Sequence, residues 1–264
     1  MERLKGNIAL VVGATSGIGR AVAKRFAEEG AIVVAAGRRQ ELGEQLIAEL
    51  RVLEHEACFV RTDVTVEQQV MDLCDTVIAR YGRLDIAVNA QGGNRLERIS
   101  ELTSDVFDHV IKLNLHSMFY CMKYEAEKMT PMRKGVILNI SSINSTVANN
   151  YMAAYCAAKA GLDQLTRVAA MEFGPSGIRV NTINPGLTKT AMSDGIFADR
   201  RLYQAFADKT PLRHHAEPAD IAAAAVFLAS DEGRFISAES LRVDGGLAPE
   251  GFPDVFRIYK NEVW

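Results

Sequence analysis

A chain of 264 residues, 48% hydrophobic and 24% charged, has the make-up of one folded α/β unit with a substantial core, which excludes a disordered or fibrous protein. A net charge of −3 with both signs interspersed leaves no basic field for nucleic acid. No stretch approaches the roughly 18 consecutive apolar residues of a membrane span. The short apolar run ending at Val12 lacks the length and cleavage site of a secretory signal, so a cytoplasmic protein is expected. Cys58, Cys74, Cys121 and Cys156 form no CxxC pair and the five histidines no HExxH, so reduced thiols and no metal site are expected.

In chain order, short apolar runs bounded by turn signals predict strands at 8–12, 32–36, 58–61, 86–89, 136–140, 180–183 and 241–243. Amphipathic stretches between them predict helices at 17–29, 40–55, 66–81, 104–129, 151–173 and 218–230. Thr65-Val66-Glu67-Gln68 reads as a capping box, and Pro218 as a first-turn proline. Strands alternating with helices imply βαβ units in a mostly parallel, doubly wound sheet covered by helices on both faces. Neither repeats nor linkers interrupt residues 1–264, so one domain is expected. Residues 187–215 are long for a connection and carry an amphipathic piece, which suits a lid over a ligand. The tail 247–264 holds Phe252, Phe256, Ile258, Tyr259 and Trp264, apolar groups that must pack over a site or on another subunit.

Chemistry-bearing residues stand out at three places. Gly13-Ala14-Thr15-Ser16-Gly17-Ile18-Gly19 follows the first strand and runs into a helix. There the main chain turns sharply, and N–H groups with the helix's positive end can meet a pyrophosphate. The second strand ends at Gly37-Arg38-Arg39. An acid at its tip would accept from an adenosine ribose; Gly37 supplies none, and Arg38 can face a 2′-phosphate, with Arg39 as a weaker helper. NADP is therefore expected, with NAD as the alternative. Finally, Tyr155 and Lys159 lie at i and i+4 on one helix face, 13 and 17 residues after Ser142. A neighbouring ammonium favours a phenolate, as proton transfer at neutral pH requires.

Taken together, Gly13-x-x-x-Gly17-x-Gly19, Asp63-Val64, Asn89-Ala90-Gln91-Gly92, Asn114, Asn139-Ile140-Ser141-Ser142, Tyr155-x-x-x-Lys159, Asn184-Pro185-Gly186 and Val243-Asp244-Gly245-Gly246 resemble the short-chain dehydrogenase/reductase family from Gly6 to Gly246. The resemblance implies a Rossmann-type fold and an oxidoreductase that interconverts a carbonyl and an alcohol by hydride transfer. It implies Tyr155 as general acid/base, Ser142 orienting the substrate oxygen, and Lys159 lowering the tyrosine pKa and binding ribose. Asn114 would hold a relay water. Thr15, Ser16, Ile18, Asp63, Val64, Asn89, Ala90, Gln91, Pro185, Gly186 and Thr188 would complete the cofactor site.

The chain departs from the family at Val12 (usually Thr) and at Ala90 and Gln91 (usually Asn and Ala). The first two would form a compensated swap of polar for apolar behind the cofactor, while Gln91 would crowd or hydrogen-bond it. The substrate is expected to be a small carbonyl or alcohol met by 93–96, 143–150 and the lid, where Met192, Ile196, Phe197 and Phe206 suggest an apolar or mixed molecule. A homo-oligomer, a tetramer through the two long central helices, is expected. The alternatives are a 3-oxoacyl-thioester reductase, an NAD-dependent alcohol or sugar dehydrogenase, and a nucleotide-binding sensor without turnover.

Overall fold

A computed structural model describes residues 2–254 and Ile258. Seven strands, β1 (Ile8–Val12), β2 (Ile32–Gly37), β3 (Ala57–Arg61), β4 (Ile86–Asn89), β5 (Gly135–Ile140), β6 (Ile178–Pro185) and β7 (Ser240–Val243), form one sheet in the order β3-β2-β1-β4-β5-β6-β7. Every neighbouring pair is parallel. The crossovers are α1 (Gly17–Glu28), α2 (Gln40–Val52), α3 (Glu67–Tyr81), α4 (Ser104–Ile111), α5 (Ser117–Met129), α6 (Ala153–Phe173), α7 (Asp194–Ala198), α8 (Arg200–Lys209) and α9 (Pro218–Ala229), followed by the short α10 (Leu247–Glu250).

Period-two alternation divides the core between the two faces. Ala9 and Val11 of β1 join Val22 and Phe26 of α1, Leu46 of α2 and Ile221 of α9. Ile8, Leu10 and Val12 turn the other way, onto Leu73 of α3, Met118 of α5 and Leu162 of α6. Strand order reverses between β1 and β4, so the loops leaving their carboxyl ends diverge and open a crevice, the place where open α/β sheets take ligands.

Two local expectations are corrected. The stretch 104–129 is not one α-helix: residues Lys112–His116 form a π segment around Asn114. Asn114 Nδ2 donates to the Val110 carbonyl at 2.8 Å and Ser117 Oγ to the Leu113 carbonyl at 2.6 Å, so side chains take carbonyls that the helix would otherwise use. The Thr65 capping box does not form, because Thr65 Oγ1 donates to Asp63 Oδ1 at 2.8 Å and α3 starts from Val66 without a side-chain cap. Pro218 does occupy the first turn of α9, where Asp220 accepts from the Glu217 N–H at 2.8 Å. Among the described residues, no helix is long and apolar enough to cross a membrane, and no cluster of side chains could hold a metal ion.

Candidate active site

The crevice is a cleft of about 1190 Å³ that runs from the Gly13–Gly19 loop, past the ends of β2, β4, β5 and β6, to the segment 187–215. Gly13 has φ 78°, and a Cβ there would lie 2.7 Å from the Gln91 N. Only glycine lets β1 turn this close to the β4 loop. Thr15, Ser16, Gly17 and Ile18 line the cleft, and the first turn of α1 receives no side-chain cap from Ser16. Its N–H groups are thus available to an anion, so this wall fits a dinucleotide's pyrophosphate.

Arg38 and Arg39 are exposed at the cleft's edge. Of the two, it is Arg39 that folds over the loop. Its guanidinium donates to Thr15 Oγ1 at 2.8 Å and Ser16 Oγ at 2.6 Å. Val64 lines the cleft, but Asp63 turns its carboxylate to Thr65. Burial works against that charge, yet the Thr65 hydrogen bonds, with Arg38 and Lys112, hold the Asp63 carboxyl below its usual range.

The β4 end corrects two expectations. Asn89 is fully buried behind the cleft instead of facing a cofactor, and its Nδ2 donates to Glu125 Oε2 and Asn139 Oδ1, both at 3.0 Å. Gln91 neither crowds nor bonds the cleft with its amide, since Nε2 points to Ser117 Oγ (3.3 Å) and Cys121 Sγ (3.5 Å) on α5. Val12 and Ala90 do not meet as the expected swap would have them: Val12 lies inside the apolar cluster of one face and Ala90 packs against that of the other. The compensation is incomplete: Asn89, in register with Val12, keeps Oδ1 without a partner, as do Gln91 Oε1 and Glu125 Oε1. Fully buried Glu125, which the sequence reading missed, is pushed up to about 8 by burial, against the pull of the Asn89 hydrogen bond.

On the cleft floor Ser142, Tyr155 and Lys159 come together. Ser142 lies two residues past the end of β5, its carbonyl fixed by Asn184 Nδ2 at 3.2 Å, while Ser141 is held to β6 through its N–H to the Ile183 carbonyl. Tyr155 and Lys159 lie one turn apart on α6, with Lys159 Nζ 5.6 Å from the Tyr155 ring centroid. Lys159 Nζ also donates to the Ile140 carbonyl at 2.8 Å. The ammonium does not set the Tyr155 proton affinity in this arrangement. Burial dominates and pushes the Tyr155 phenol up to about 12, with a Ser142 hydrogen bond pulling it back. Burial likewise presses Lys159 down to about 8, opposed by the Asp163 carboxylate.

Asn114 is buried next to this pair, and Gly92 makes room for it: a Cβ at 92 would lie 2.9 Å from Asn114 Oδ1 and 3.9 Å from Lys159 Nζ. Its carboxamide is engaged by backbone, donating to the Gly93 and Val110 carbonyls at 2.7 and 2.8 Å and accepting from the Gly93 N–H at 3.3 Å. Pro185, Gly186 and Thr188 line the cleft past β6, where Thr188 Oγ1 donates to the Gly186 carbonyl at 3.1 Å.

The segment 187–215 covers the far end, as a lid would, with Met192, Ile196, Leu202 and Phe206 in the wall. Phe206 meets Phe252 of the tail at 6.1 Å between ring centroids, and Phe252 reaches the cleft. Phe197, expected at the substrate, instead packs 4.7 Å from the His215 ring, whose Nδ1 bonds Tyr203 Oη at 3.1 Å. Ile258 is half-buried, while Phe256, Tyr259 and Trp264 lie outside the described residues. Asn144 and Met152 also line the cleft, although neither stood out individually in the sequence.

A family model described as enoyl-(acyl carrier protein) reductase matches residues 13–248. The chain is 39% identical over 246 residues to cis-4-hydroxycyclohexanecarboxylate dehydrogenase of Sinomonas cyclohexanicum, covering 93% of this chain and 98% of that protein. A short-chain type dehydrogenase/reductase from Mycobacterium ulcerans superposes with a TM-score of 0.94 at 31% identity, over 97% of this chain and 95% of that one. A 7α-hydroxysteroid dehydrogenase complexed with NADH and 7-oxo glycochenodeoxycholic acid superposes with a TM-score of 0.90 at 33% identity, over 95% and 96%. These likenesses span the parallel sheet, the glycine loop and the cleft floor alike. The chain therefore belongs to the short-chain dehydrogenase/reductase family and is an NAD(P)-dependent oxidoreductase acting on CH–OH and C=O groups.

Proposed function

We propose that the protein reduces a ketone or aldehyde, or oxidises the matching alcohol, with NADP(H), using Tyr155 as general acid/base. The observation that carries this reading is the meeting of Ser142, Tyr155 and Lys159 on the floor of a cleft whose other end is a glycine loop at a helix N-terminus. The nicotinamide, when bound, supplies or accepts the hydride at the substrate carbon. Tyr155 Oη gives its proton to the carbonyl oxygen as that oxygen gains negative charge, and in the reverse direction removes it from the alcohol. A buried phenol near pH 12 keeps its proton in the resting site, which suits an acid. Lys159, one turn along α6, would bind the nicotinamide ribose, and Asn114 orders the wall from which a proton returns. Ser142 Oγ orients the substrate oxygen.

NADP is favoured over NAD because Arg38 is exposed at the cleft's edge just past the tip of β2, where Gly37 supplies no carboxylate. Arg39 is occupied by Thr15 and Ser16 and acts as a brace for the loop. The lid and tail side chains Met192, Ile196, Phe206 and Phe252 favour an apolar, ring-sized substrate. The cyclohexane-ring and steroid names among its relatives point the same way.

The chain would work as one catalytic domain, in the cytoplasm. Exposed Phe119 on α5 and Val168 and Met171 on α6 suit the helix faces of a homotetramer, which light scattering tests. For the reaction, nicotinamide fluorescence on titration with NADPH and NADH, then turnover on cyclic ketones and a 3-oxoacyl thioester, is the experiment. Tighter NADPH binding and ketone turnover abolished by Tyr155→Phe are expected. Binding of neither cofactor would remove the reading, and thioester turnover alone would move it to an acyl reductase.

A further inference from the structure

Ser142 has one hydroxyl proton, and three groups in the cleft can claim it. A substrate oxygen is one, Tyr155 Oη is another, and the third is in place before any ligand arrives. Asn144, two residues on and buried, receives that proton on its Oδ1 at 3.1 Å. The Asn144 backbone N–H also donates to Ser142 Oγ at 3.1 Å, so the serine is held on both sides by the same residue. The far end of the carboxamide is anchored to the start of α6, with Nδ2 3.6 Å from Cys156 Sγ and 3.8 Å from Met152 Sδ. Asn144 therefore ties the turn that carries the serine to the helix that carries the tyrosine.

We propose that Asn144 is a positioning residue that aims the Ser142 hydroxyl, holding its proton away from Tyr155 until a substrate oxygen competes for it. A hydroxyl that gives its proton to Asn144 and accepts the Asn144 N–H has one lone pair left, and turns it to the tyrosine. With its proton on Asn144, Ser142 lowers the Tyr155 phenol less than it would if that proton were free to meet the phenolate. This preserves the acid for carbonyl reduction. An incoming carbonyl oxygen offers lone pairs of comparable strength, and the serine proton changes partner with little net cost because one hydrogen bond replaces another. Sulfur is a weak acceptor, so the anchored end of the carboxamide is held softly enough to follow that exchange.

The consequence for the reaction rests on the reductase reading, but the hold on Ser142 can be measured without turnover. Tyrosinate absorbance, read in stopped-flow jumps to alkaline pH before the fold responds, is taken for each protein minus its own Tyr155→Phe partner. In Asn144→Leu the freed Ser142 proton turns to the phenolate, and the Tyr155 midpoint falls by about one pH unit, the size of one neutral hydrogen bond. The alkaline limb of kcat for carbonyl reduction moves down with it, while the NADPH dissociation constant stays unchanged. Asn144→Asp keeps the acceptor oxygen and leaves the midpoint at or above that of the unmodified protein. Asn144→Ala makes the same comparison if leucine's bulk disturbs the fold.

A midpoint unmoved in Asn144→Leu and Asn144→Ala, with melting temperatures retained, overturns the assignment. So does a midpoint that falls equally in Asn144→Asp. A protein that turns over no carbonyl but shows the shift would instead remove the reductase reading and leave Asn144's hold on Ser142 standing.

Discussion

Glu125 offers a sharp test of the packing around the β4 end. It is fully buried on α5, gains one hydrogen bond from Asn89 Nδ2, and leaves Oε1 without a partner. Burial raises its carboxyl from 4.5 to about 8. The folded protein therefore keeps this proton across a window in which the unfolded chain has lost it. By linkage, the stability tied to Glu125 is fully present below pH 4.5, falls as pH rises through the window, and is gone above about 8. About 3.5 decades of proton affinity, at ~1.4 kcal/mol each, bound the total at about 5 kcal/mol. Neighbouring Cys74 and Cys121 do not blur the window, because burial pushes both thiols above it. Glu125→Gln keeps an acceptor for Asn89 Nδ2 and cannot ionise. Urea unfolding across pH 5 to 9 should then give a variant whose advantage over the parent grows with pH and levels off above about 8. An advantage that is constant with pH would refute the reasoning, since it would mean that the carboxyl titrates alike in both states.

Other outcomes follow from the cleft. Gly13→Ala, at φ 78° and with a Cβ 2.7 Å from the Gln91 N, should weaken nucleotide binding more than tenfold; fluorescence titration reads it. Arg38→Glu should reverse the NADPH preference, whereas Arg39→Ala should weaken both cofactors alike because it loosens Thr15 and Ser16, and competitive titration separates the two. Phe206→Ala opens the far wall and removes the ring contact to Phe252. It should raise KM for a cyclic ketone about tenfold while leaving cofactor affinity intact, as steady-state kinetics would record.

Much of this architecture was legible in the sequence because it rests on local, periodic signals. All seven strands were visible as apolar runs, and the Gly13–Gly19 loop and the Tyr155/Lys159 spacing marked both ends of the cleft. What was not legible depends on partners far along the chain. The π segment at Lys112–His116 arises because Asn114 reaches Val110 and also Gly93, 21 residues away. Asn89 looked like a cofactor contact until the sheet placed Asn139 beside it and α5 brought Glu125 over it. Whether Lys159 raises or lowers its neighbours is a question of burial, which spacing does not carry.

The departures from the family's usual residues are best understood as one correlated change. On α5, Ser117, Cys121 and Glu125 recur every fourth residue and so share one stripe of the helix, a buried one. Opposite that stripe stand the two polar residues of the β4 end: Gln91 meets Ser117 and Cys121, and Asn89 meets Glu125. Ala90 lies between them and turns to the other face, against the cluster of α1 and α9. Polarity lost at Val12 and Ala90 thus reappears one layer away, between β4 and α5, where Glu125 can stay neutral and Gln91 can leave the cleft. Gln91's amide is withdrawn onto α5 and is not aimed into the cleft. Shortening Gln91 should therefore destabilise the β4–α5 packing while barely changing nucleotide affinity. Comparing unfolding midpoints with cofactor titrations for Gln91→Ala decides the point: a large loss of affinity with stability unchanged would mean that the residue faces the cofactor after all.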